Sequence, residues 1–103
     1  MLDSLRGTFW EAYRHLFPPH AVAAQTDSGC IVVSWSMADD PHARNPHAAP
    51  VMIRLEQDLI ETAMAAGPEA CRRMAAQLEP QLRAGMVGYD PYAAFKVRIV
   101  VLG

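Results

Sequence analysis

Phe95-Lys96-Val97-Arg98-Ile99-Val100-Val101-Leu102 is the stretch on which the fold turns. Phe95, Val97, Ile99 and Val101 recur at every second position while Lys96 and Arg98 begin the other face, which is the alternation of a β-strand with one apolar side. A strand so late in the sequence must pair with segments that precede it, so the sheet is built from earlier parts of the chain and this strand returns to them. Its Val and Ile content favours an inner position in the sheet.

Working back from that strand, Met86-Val87-Gly88-Tyr89-Asp90-Pro91-Tyr92 reads as an aromatic turn. Before it lie two helical stripes. Leu59, Ile60, Ala63 and Met64 predict a helix over about 57–66, and Cys71, Met74, Ala75, Leu78 and Leu82 form the inner face of a second. Gly67-Pro68 separates them, with proline suited to the first turn of the second helix. Pro80 lacks the amide that would bond to residue 76 and is expected to kink it. Further upstream, Val51, Ile53 and Leu55 alternate with Met52 and Arg54, a third strand.

The run from Cys30 to Met37 places Ile31, Val33, Trp35 and Met37 on one face and Val32, Ser34 and Ser36 on a more open one. Thr26-Asp27-Ser28-Gly29 supplies turn formers between this run and the weak, Ala-rich strand of residues 21–25, so a β-hairpin follows, with the Ala-rich strand suited to an edge. At the start, Leu5, Phe9, Tyr13, Leu16 and Phe17 predict a helix over about 4–17, with Asp3 or Ser4 as N-cap, an alternative start near Thr8, and Pro18-Pro19 as the stop. Trp10 is expected at the flank of that core face rather than at an exposed partner surface. The element order is α-β-β-β-α-α-β. The fold class is therefore α+β, a mostly antiparallel four-stranded sheet with helices packed on one face, in a single domain over residues 1–103. Its expected core is Phe9, Tyr13, Val33, Trp35, Leu59, Leu78, Leu82, Val97, Ile99 and Val101.

With 103 residues, 51% of them hydrophobic and 19% charged, the chain suffices for one core. A net charge of −2 and a single adjacent basic pair, Arg72-Arg73, argue against nucleic acid as a partner, since neutralising phosphates takes clustered cations. Eight Arg against the one Lys96 reflect the compositional bias of a high-GC bacterial genome. The opening residues show no charged-then-apolar leader, and no apolar run approaches the roughly 18–20 residues of a bilayer span. A soluble cytoplasmic protein with no membrane partner is the expectation. Cys30 and Cys71 then read as buried thiols rather than a disulfide.

The segment from Ala38 to Pro50 carries three prolines and no periodicity, a long loop for so small a domain. Within it, Asp39, Asp40, His42, Arg44 and His47 gather two carboxylates, two imidazoles and a guanidinium, which makes the loop the candidate interaction or functional site. Pairing Asp39 or Asp40 with His42 or His47 is the chemistry of proton transfer near neutral pH, and a metal centre would need three or four such groups to converge. The H-x4-H spacing matches no established ligand frame, no G-x-S-x-G elbow surrounds Ser34 or Ser36, and Gly67, Gly85 and Gly88 form no phosphate cradle. No catalytic, cofactor-binding or metal-ligating residue is assigned. The loop, with Ala as its only apolar content, is expected to be mobile.

Three further stretches, Val33-Ser34-Trp35-Ser36, Ile53-Arg54-Leu55-Glu56 and Gly88-Tyr89-Asp90-Pro91-Tyr92, give the chain a resemblance to small proteins of high-GC proteobacteria built from one domain of unknown function. The resemblance carries over no catalytic residue. The leading helix followed by three strands also loosely resembles secretion-chaperone folds, which implies a dimeric partner binder, although this chain is shorter, only mildly acidic, and ends in a strand. The expected function is a non-catalytic protein-binding or homodimerising module, with a protein partner or self-association and no cofactor. The alternative is a small enzyme or metal-binding protein using the Asp39 to His47 loop.

Overall fold

The computed structural model describes residues 2–26, 29–93 and 96–103, with only the backbone of Leu2 and Asp3. Phe95 of the expected final strand, Asp27 and Ser28 of the expected hairpin turn and the Asp3 cap lie outside what is described. The order is α1 (Leu2–Tyr13), a 3-10 turn (Arg14–Leu16), β1 (Val22–Gln25), β2 (Cys30–Ser34), β3 (Val51–Leu55), α2 (Gln57–Ala66), α3 (Pro68–Gly85) and β4 (Arg98–Leu102). The fold is α+β. The expected first helix tightens into the 3-10 turn at Arg14, short of the double proline. The helix α3 carries through Pro80 to Gly85.

The four strands lie in the order β1-β2-β3-β4, the first three antiparallel and β4 parallel to β3. Parallel strands cannot be joined by a tight turn, so the crossover from β3 to β4 carries α2 and α3 across the sheet. Register decides what each strand buries. Ile31 pairs with Ile53 and Ile53 with Val100, and Leu55 pairs with Leu102. These positions, with Val33 and Val51, face the helices and close over Phe9, Tyr13, Leu59, Ala75 and Leu82.

Two expectations about β4 are corrected. Val97, Ile99 and Val101, expected in the core, lie on the opposite side at 49%, 58% and 41% exposure, while Val100 is 4% exposed. The strand also stands at the sheet edge and not inside it. A shift of one residue exchanges the two faces of any strand. In Ile99-Val100-Val101-Leu102 both faces are apolar, so alternation there does not choose between them. The charges misdirect the choice: Arg98 sits on the helix side of β4, where its Nη1 donates to the carbonyls of Gly85 at 3.0 Å and Val87 at 2.9 Å. Those carbonyls close the C-terminal end of α3, where unpaired acceptors and the negative pole of the helix favour a cation. Leu78, also assigned to the core, is only partly buried against it.

Gly85 itself is dictated by this contact. A Cβ there would stand 2.6 Å from Cγ1 of Val100, a buried and β-branched neighbour with little freedom to move. On the other side of the core, the Tyr13 hydroxyl donates to the Ala75 carbonyl at 2.8 Å and ties α1 to α3. Burial pushes that hydroxyl well above its ordinary pKa, with the nearby Glu79 carboxylate adding to the effect. Trp10 flanks the core as expected and begins a chain of ring contacts through Phe17 and Trp35 to Tyr89.

Candidate functional site

The segment from Asp39 to His47 is held at both ends. The Met37 amide donates to Pro46 at 2.8 Å, the Ala48 amide to Trp35 at 3.0 Å, and Ser36 and His47 form an isolated antiparallel bridge that extends the β2 direction. Ala49 is fully buried, donates its amide to Pro91 at 2.8 Å, and accepts a hydrogen bond from the Tyr89 hydroxyl. At the end of the loop Ala48 and Ala49 are buried, and the aromatic turn after α3 bonds to Ala49. That turn also reaches the candidate residues. The Tyr92 hydroxyl donates to Asp40 Oδ2 at 2.8 Å, and the His42 amide donates to Asp40 Oδ1 at 2.9 Å.

Of the five candidate residues, the structure brings together Asp40 and His42 and adds Tyr92, which sequence reasoning placed only in a turn. Asp39 and Arg44 are exposed and make no side-chain hydrogen bond among the described residues. His42 and His47 are joined by no hydrogen bond or ion pair among those residues; the imidazole near the bridge is instead that of His20, whose Nε2 lies 3.0 Å from the Ser36 carbonyl. The His42 amide and the Tyr92 hydroxyl hold the Asp40 carboxyl below its usual range, and the same bond to Asp40 pushes the Tyr92 hydroxyl up. A depressed carboxylate that accepts two hydrogen bonds is a fastener and a poor proton acceptor at neutral pH. Among the described residues no three His, Cys, Asp or Glu side chains gather as a metal centre would require.

Elsewhere on the helix side, His15 Nε2 lies 2.9 Å from Glu79, which also accepts from Arg83 at 3.2 Å, an exposed helix-surface network of small energetic weight. A groove of 450 Å³ between α2 and α3 is lined by Leu59, Met74 and Leu78 with Glu56, Asp58 and Thr62 at its rim. It contains no imidazole, thiol or cation to work with those carboxylates.

The feature that stands out is the sheet's outer face. Val22 on β1 is 62% exposed, Val97, Ile99 and Val101 expose about half of their surface, and Val32 and Met52 between them are half-buried. Ser34 and the exposed Arg54 are the polar side chains of the strands on that side. One face of an antiparallel sheet commonly meets water, but it then carries polar residues at alternate positions. Here the helices cover one apolar face, and a second apolar face faces outward. No helix among the described residues is long and apolar enough to cross a membrane. No family model, curated protein or solved structure matches the chain, so its function is read from its own residues.

Proposed function

We propose that the chain is a non-catalytic binding module that associates, with itself or with another protein, through the outer face of its sheet. The observation that carries this is the exposure of Val22, Val97, Ile99 and Val101 on the side the helices leave open. Contiguous apolar surface on a small globule is a marker of association. Each of these side chains regains roughly 1 kcal/mol on burial, so four from each of two partners reach the order of the about 4–15 kcal/mol lost in translational and rotational freedom. The association is accordingly weak and dependent on concentration.

The Asp39 to His47 segment serves this reading as support for the sheet's end rather than as a reaction centre, since its Asp40 carboxylate is committed to Tyr92 and no hydrogen bond joins its two imidazoles to each other among the described residues. Neither nucleic acid nor membrane is a partner in this proposal, the outer face having no cluster of cations among the described residues of its strands. A cytoplasmic setting is part of it, supported by the two free, buried thiols of Cys30 and Cys71. Sedimentation velocity over a wide concentration range provides the test. The expected result is a weight-average coefficient that rises with concentration and no longer does so in Val101→Lys; a wild-type coefficient that never rises removes self-association and leaves only another protein as partner.

A further inference from the structure

We propose that a second copy of the chain pairs at the β4 edge of this surface, its β4 laid antiparallel against the first across a two-fold axis at Ile99, so that two four-stranded sheets become one and the outer-face side chains of the two β4 strands meet across the seam. The proposal rests on the reading above and specifies its partner and its register. The edge comes first. The Arg98 amide donates to Pro50 at 3.0 Å and the Leu102 carbonyl accepts from Glu56 at 2.9 Å, so the even-numbered residues of β4 direct their backbone groups to the β3 side. Ile99 and Val101 therefore direct theirs away from the sheet.

That edge is guarded only in part. Gln81 on α3 donates from Nε2 to the Val101 carbonyl at 3.2 Å and to Gly103 at 3.5 Å. The amide and carbonyl of Ile99 and the amide of Val101 have no partner among the described residues. Edge strands are ordinarily blunted by a charge, a proline or a bulge. The outer-face side chains here are Val97, Ile99 and Val101.

The order Val-Ile-Val is symmetric about Ile99, and this selects a copy of the same strand. Antiparallel pairing centred there sets Ile99 beside its own counterpart and Val97 beside Val101, apolar against apolar along the whole edge, and a two-fold contact closes on itself. Charge agrees. Arg98 is turned to the helix side and held by Gly85 and Val87, and the two copies of Lys96 stand six residues apart along the strands, about 20 Å, well beyond the screening length of about 8–10 Å. A parallel arrangement would set Lys96 beside Lys96. Pairing β4 with β1 of another copy would leave free edges and grow a filament. A contact of this size belongs to the low end of protein interfaces, so micromolar affinity is expected.

Thiol crosslinking tests the register. In the proposed pair the two Ile99 Cα atoms lie about 5.5 Å apart, inside the range a disulfide spans. Ile99→Cys, an exposed position that a smaller side chain leaves folded, is expected to oxidise to a covalent dimer at least tenfold faster than Val22→Cys or Met52→Cys, the native thiols being buried. Sedimentation of the reduced proteins is measured alongside. If wild type dimerises but Met52→Cys or Val22→Cys crosslinks fastest, the β4 register is overturned while association through the outer face survives. If wild type does not dimerise, the second copy is overturned as occupant. Gln81→Ala supplies an independent arm: by freeing the Val101 carbonyl it should tighten the dimer severalfold, and an unchanged dissociation constant would contradict the pairing.

Discussion

Asp40 and Tyr92 show how two side chains set the course of a long loop. The bond between them joins the segment after β2 to the turn after α3, fifty-two positions apart in sequence. It requires a carboxylate on one side and a neutral phenol on the other. The Asp40 pKa is depressed in the fold, so in acid the unfolded chain binds the proton first and stability falls as pH drops through the depressed value. The Tyr92 pKa is raised, so the native state holds that proton longer and stability falls as pH rises from the ordinary tyrosine range of about 10 through the raised value. Tyr92→Phe should therefore lower the denaturant midpoint at neutral pH, and the gap to wild type should close at both extremes. A gap that is constant with pH would mean that the ring's packing, and not this bond, holds the loop.

At the scale of elements, β4 carries the main lesson. The existence, type and order of the helices and strands were legible because each has a period and a boundary: Leu5, Phe9 and Tyr13 one turn apart, Gly67-Pro68 between two stripes, Val51-Ile53-Leu55 at alternate positions. The facing of β4 was not legible. Its apolar residues run on both faces, and its one inner charge answers to the end of α3, a tertiary contact that the alternation of the strand does not encode. Composition singled out the Asp39 to His47 segment but could not show Tyr92 reaching Asp40 or Tyr89 reaching Ala49, because both contacts join residues forty or more positions apart. The corrected facing has a direct consequence. Val100→Ala should cost about 1–3 kcal/mol through lost transfer energy and a cavity under α3, whereas Ile99→Ala should change the stability of the dilute protein by no more than about 0.5 kcal/mol. Equal losses at the two positions in urea denaturation would contradict the register with β3.

Taken whole, the molecule is a sheet with two apolar sides and one layer of helices. The helical side is closed by Phe9, Tyr13, Ile31, Ile53, Leu82 and Leu102, all fully buried or nearly so. The other side keeps Val22, Ile99 and Val101 in water, and pairing at β4 shields Ile99 and Val101 along the seam while Val22, on the opposite edge strand, stays exposed. The measurement that addresses this most directly is amide hydrogen exchange at single-residue resolution along β4, repeated at rising protein concentration. Backbone groups that point off a free edge exchange quickly, and pairing with another strand protects them. The expected result is exchange at Ile99 and Val101 that slows as concentration rises, with Val100 and Leu102 protected throughout by β3. Fast exchange at Ile99 and Val101 that does not change from the most dilute to the most concentrated sample would contradict the account.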